Sequence, residues 1–282
     1  MGDTLQFLKD VIQIPGLLKE IYGDLAKPGV TQVGKALSTI IGFGNTVLLP
    51  FHLANERTRL AVESNLEKYR KQLEAVPEEK ITPVAPEVGV PIVEKIGYVT
   101  DETLSDLYVN LLAKASTVGT NHLAHPSFVN ILNNLSPDET VILNAFYMFN
   151  LISLPFLSVI WQRKGKKENI ELPDILSGIE KELPLAFPDN ITAYFSNLAG
   201  LGMVQVKYNR RIIPETAYSG LQEGYQPYYQ KLGPIHFGGD EDYILKFELS
   251  RIDLTPFGKL FLNSCLKKLN RERGSATPPP QP

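Results

Sequence analysis

The sequence predicts a mainly α-helical fold with a smaller α+β part, arranged as an N-terminal helical domain followed by a mixed domain. Three observations predict it. An apolar stripe through Val62, Leu66, Tyr69, Leu73 and Val76 alternates spacings of four and three, the signature of one amphipathic helix. Helix-start signals recur at Thr100 or Asp101 and again at Ser136. Beyond Ser136, strand-like phrases such as "MVQVKY" and "YILKFELSRIDLT" enter among the helices.

Residues 1–76 read as an N-terminal helical region. Leu5, Leu8 and Ile12 form one stripe, and Pro15-Gly16 and "AKPGV" break the pattern. The run from Ala36 to Asn55 carries no charged side chain except the titratable His52. Its length suits a bilayer span, but Asn45 and Pro50 interrupt it, and breaks are expected near Phe43 to Asn45 and near Pro50. Gly34, Ser38 and Gly42 recur every four residues, with Gly44 beside them. Small residues at that spacing let helices approach closely, so these four are the candidate packing or assembly surface. A second run low in charge, Thr140 to Gln162, is more hydropathic but begins with a soluble-style cap, and it is read as buried core.

Residues 77–91 hold four prolines and read as an extended connector. Residues 92–135 continue the helical domain, with Leu104, Leu107, Tyr108, Leu111 and Leu112 on one face. In "SPDE", Ser136 caps, Pro137 takes the first helical position and Glu139 completes a capping box. Residues 136–270 then read as helix, strand ("FLSVIWQ"), helix ("LPDILSGIEKEL"), helix (Pro188 to Leu201), two strands and a last helix. That order resembles a winged helix-turn-helix with an added C-terminal helix. Residues 214–242 read as a long loop rich in glycine and tyrosine, and 271–282 as a disordered tail.

Composition excludes several functions. Among 282 residues the net charge is −3, so no global basic field draws nucleic acid. One cysteine, Cys265, excludes an intrachain disulfide and fits a reducing compartment. The first residues lack the basic stretch of a secretory signal. No phosphate-binding glycine loop, nucleophile elbow or zinc-protease motif is present. His122 and His125 sit three apart, but Pro126 follows and no further ligand completes a metal set, so His125 is read as ordering the loop into the next helix. "GGDED" reads as a solvated acidic loop. Neither a catalytic residue, a cofactor nor a metal is expected, and the protein is read as non-enzymatic.

Four phrases, "EIYGDLAKPGVTQVGKAL", "LLPFHLANERTRLAVESNLEKYRKQLEAVPEEKI", "YVTDETLSDLYVNLLAKAS" and "HPSFVNILNNLSPDE", carry a resemblance to the abortive infection alpha family of bacterial proteins. The similarity runs from about Ile21 to the late 250s. It implies an anti-phage role in which an infected cell stops growing or dies before phage multiply, and it brings no established catalytic residues. The expected mode of action is protein interaction, self-association or membrane perturbation, by a cytoplasmic protein that associates with membrane on activation. The alternative is a winged-helix DNA-binding regulator of a defence locus. Its contacts would be Lys207, Arg210 and Arg211, although the recognition-helix candidate Pro188 to Leu201 contains no basic residue.

Overall fold

The computed structural model describes residues 32–46, 56–166, 169–212, 215–232 and 243–266. The chain divides into two compact units, Met1–Pro137 with Asn263–Lys267, and Asp138–Leu262 with Lys268–Pro282. The expectations for the N-terminal stripe before Gln32, the break near Pro50, His52, "GGDED" and the tail lie outside the described residues.

The first unit is helical: α1 (Gln32–Thr46), α2 (Glu56–Glu74), α3 (Pro86–Ile96), α4 (Glu102–Ala115) and α5 (Ser127–Leu132). Helix α1 buries Ala36, Leu37, Ile40 and Ile41. It runs unbroken through Phe43 to Asn45, so the break expected there does not occur. Glycine weakens a helix only by about 1 kcal/mol, and burial of the adjacent apolar face exceeds that cost. Helix α2 buries Val62, Leu66, Tyr69 and Leu73, as the stripe predicts, while Leu60 is exposed.

The connector expectation for 77–91 needs correction. A short 3₁₀ turn occupies Glu78–Lys80, and α3 starts at Pro86. Pro86 is at the first turn, where its missing N–H costs nothing. Pro91 lies inside α3 and removes one hydrogen bond, a loss offset by burial of Val88, Ile92, Val93 and Ile96. Asp101 caps α4 by accepting from Leu104 N at 2.8 Å. His125 behaves as expected: its Nδ1 accepts from Ser127 N at 3.2 Å and pairs with Ser127 Oγ, opening α5.

The second unit contains α6 (Pro137–Met148), β1 (Ser153–Arg163), β2 (Asn169–Leu176), α7 (Ile179–Glu182), α8 (Ile191–Gly200), β3 (Val204–Lys207), α9 (Ser219–Leu232), β4 (Tyr243–Leu254) and α10 (Pro256–Cys265). Pro137 at the head of α6 and the last residues of α10 count with the first unit. The strands form one antiparallel sheet in the order β2-β1-β4-β3. Leu157 and Val159 share a face with their cross-strand partners Leu249, Phe247, Leu176 and Leu172. Helix α8 is stopped just past Gly200 by Gly202 (φ 74°), with Gly202 N bonded to Ala199 O and Met203 N to Leu198 O. A Cβ would disfavour that left-handed turn.

Two assignments change here, one helix and one loop. "LPDIL" belongs to β2, because it pairs antiparallel with β1 after the turn that begins at Arg163, and only Ile179–Glu182 is helical. The stretch read as a loop over 214–242 contains a 3₁₀ turn, Glu215–Tyr218, followed by α9. Together they set Tyr218 and Tyr225 against Leu157 and Val159. Tyr218 Oη donates to Ser250 O and accepts from Ile212 N, so the buried phenol is satisfied. Tertiary burial thus outweighs the turn-forming glycines and Pro227.

Candidate functional site

The candidate assembly residues fall on α1. Gly34 and Ser38 are half-buried and Gly42 is exposed, along one side of the buried Ala36, Leu37, Ile40 and Ile41. A Cβ at Gly42 would meet nothing within 4 Å among the described residues. Gly44 lies in the same helix. No helix among the described residues is long and apolar enough to cross a membrane.

The three basic residues of the DNA-contact reading are not one surface of uncompensated charge. Lys207 Nζ lies 2.7 Å from Asp253 Oδ2, and Arg211 is ion-paired with Glu215. Arg210 is exposed. Arg251 Nε stands 3.2 Å from the same Asp253 carboxylate. Burial raises the Asp253 carboxyl, but Lys207, Ser153 and Arg251 outweigh it and hold it below its ordinary value.

Cys265 is fully buried, and that burial pushes its thiol well above the usual range, so it is not a poised nucleophile. Among the described residues no group of three or more His, Cys, Asp or Glu could hold a metal.

Sequence reasoning missed a cleft of about 430 Å³ in the first unit. It lies along α2, the loop of residues 97–101 and the first turn of α4. Thr58, Asn65 and Ser105 are its buried lining. Asn65 Nδ2 donates to Ile96 O at 3.0 Å, and Asn65 Oδ1 accepts from Ser105 Oγ. Exposed residues rim it, among them Arg57, Ser64, Tyr98, Thr100 and Glu102. Lys68 Nζ donates to Asp106 Oδ1 at 2.7 Å and to Glu102 Oε1 at 3.4 Å. Burial works against the Lys68 ammonium, but these carboxylates outweigh it and raise its pKa.

The loop is pinned at both ends. Tyr98 N and Val99 N both bond to Lys95 O. A Cβ on Gly97 would stand 2.9 Å from Thr58 Cγ2 and 3.1 Å from Val62 Cγ2, so glycine permits this close approach. At the other end sits the Asp101 cap. The sequence signal was present in "KIGYVTD", a glycine followed by hydroxyls and a cap. Its meaning depended on α2, some thirty residues earlier in the chain.

A second cluster of buried polar groups belongs to the second unit. Asp138 and Glu139, both buried, accept from other elements. Asp138 takes Ala186 N and Phe187 N at 2.8 Å each and Tyr194 Oη at 2.7 Å. Glu139 Oε1 takes Asn197 Nδ2 at 2.7 Å. These are anchoring contacts: each carboxylate oxygen of Asp138 is occupied by protein donors.

Comparison with known proteins gives one family model, described as abortive infection alpha, matching residues 61–265. No curated protein and no solved structure matches the chain. The match takes in most of α2 and all elements from α3 to α10, and leaves α1, with Gly34, Ser38, Gly42 and Gly44, before its start. It covers well over half of the chain, including most of the cleft and both buried carboxylates. The chain belongs to the abortive infection alpha family.

Proposed function

We propose that this chain is a bacterial anti-phage protein that acts without catalysis, through protein interaction or self-association. The observation that carries the reading is the family match over residues 61–265, which includes most of both units. The second unit is read as winged-helix-like, a docking or sensing module. The support is that β4 lies between β1 and β3, and that β3 directly follows α8. Strand β2 is an addition outside β1. The first unit supplies the effector or assembly surface, with Gly34, Ser38 and Gly42 of α1 as its small-residue row. Membrane perturbation is the variant in which this region acts on a bilayer after activation, starting from a cytoplasmic protein. The DNA-binding alternative is not carried forward, because Lys207 and Arg211 are already compensated by Asp253 and Glu215.

The test is phage challenge of cells expressing the full chain, Gly34→Leu or Gly42→Leu. Phage yield, host survival and dye entry are scored together. Protection by the full chain with host death supports abortive infection; no protection removes it. Protection lost in both leucine variants, at unchanged protein level, supports assembly through α1. Unchanged protection takes α1 out of the effector surface. Dye entry before lysis selects the membrane variant.

A further inference from the structure

We propose that the cleft of the first unit binds an uncharged, hydroxyl-bearing ring compound of nucleoside or sugar size. This inference stands on geometry and does not depend on the defence reading.

Size comes first. About 430 Å³ falls among small-molecule sites, which run roughly 300–1,000 Å³. Charge narrows the class. The cleft residues Arg57 and Lys68 are matched by Asp101 and Glu102, two positive against two negative. Lys68 is further held by Asp106. Balanced charge gives the site no net attraction for a polyphosphate or a bare cation.

Hydrogen-bonding capacity narrows it again. Five hydroxyl-bearing residues line the cleft, Thr58, Ser64, Tyr98, Thr100 and Ser105. A hydroxyl both donates and accepts, and it rotates to suit, so it matches another hydroxyl or a ring nitrogen better than it matches a full charge. Ser105 gives its proton to Asn65, which leaves its lone pairs as acceptors. Tyr98, 50 % exposed, supplies an aromatic ring at the rim. Aromatic side chains stack on flat rings with little demand on identity.

The cleft is also set before a ligand arrives. The Gly97 contact, the two bonds to Lys95 O and the Asp101 cap fix the loop that presents Tyr98 and Thr100. A fixed rim avoids the ordering cost that weakens binding to a mobile one.

Titration calorimetry of the full chain tests this with adenosine, guanosine, cytidine, uridine, glucose and N-acetylglucosamine, and with adenosine monophosphate as the charged comparator. We expect saturable one-to-one binding of at least one uncharged compound. Tyr98→Ala should weaken it at least about tenfold, and Tyr98→Phe should weaken it less. Tyr208→Ala, at a half-exposed tyrosine of the second unit, should leave it unchanged. Response to nucleosides alone or to sugars alone separates the two sources, and either supports the proposal. It is overturned if no uncharged compound binds, if the monophosphate binds more tightly than adenosine, or if Tyr98→Ala keeps full affinity.

Discussion

The two units satisfy their buried polar groups differently. Between α2 and α4 of the first unit the interior contacts are neutral. Asn65 bridges Ser105 and Ile96 O, Tyr69 Oη meets Ser116 Oγ at 2.6 Å, and Gln72 Nε2 donates to Asn110 Oδ1 at 2.8 Å. Asn110 Nδ2 passes the chain on to Cys265 O at 2.8 Å. The second unit has neutral contacts too, such as Tyr218 with Ser250 O, but adds ionised carboxylates, Asp138 inside and Asp253 nearer the surface. The geometry explains the choice. Around Asp138 two backbone N–H groups and a phenol all converge as donors. An ionised carboxylate accepts all three without bringing a proton of its own. Paired helices offer donors and acceptors together, so amides and hydroxyls suffice there. Neutral seams fix register without regard to pH; carboxylate anchors hold irregular chain but depend on staying ionised.

The largest break in this contrast is Asp138→Ala. It leaves Ala186 N, Phe187 N and the Tyr194 hydroxyl without their acceptor. We expect a loss of about 3–5 kcal/mol, read by urea denaturation; a loss under about 1 kcal/mol would show that the 183–187 segment does not need the anchor.

Next comes acid. Burial raises the Asp138 carboxyl, but bonds from Tyr194, Ala186 and Phe187 outweigh it and hold it below the ordinary carboxylate value. A depressed folded pKa contributes stability that is present above the unfolded value, about 3.9. That contribution is lost as pH falls below it, through the folded value. Asp253 has the same sign. Stability should therefore fall steeply below about pH 4, and Asp138→Asn should flatten the slope while lowering stability at neutral pH. Denaturant midpoints across acid pH decide it, and an unchanged slope in Asp138→Asn would assign the acid loss elsewhere.

The smallest effect is in the neutral seam. Asn65→Ala and Ser105→Ala should each cost about 1–2 kcal/mol. The double variant should cost less than the sum, because both remove one bond. The coupling should be the same at pH 5 and pH 8, and a pH-dependent coupling would mean that a charge from Lys68 or Glu102 reaches the seam.

What could be read in advance divides along the range of the interactions. The stripe on α2, the Asp101 cap, the His125 turn and the Gly202 stop are local, and each follows from residues within a few positions of one another. The misread elements are those where distant partners decide. "LPDIL" joins a strand because β1 pairs with it. Ser219–Leu232 is helical because Tyr225 finds a sheet face to cover. Pro86–Ile96 is helical because its apolar face is buried, prolines notwithstanding. The cleft was invisible for the same reason, since its lining comes from α2 and from a loop some thirty residues later.

By itself, then, the sequence determined the helical first unit, the mixed second unit and the family, because amphipathic period, capping and ordered family phrases are written in neighbouring residues. Only the tertiary structure decided which proline-rich and glycine-rich stretches become helices, that Lys207 and Arg211 are compensated, and that Tyr98, Thr100 and Ser105 share one cleft with Asn65. Those outcomes depend on burial and on charges brought together from distant parts of the chain, and neither is a property of any short stretch of residues.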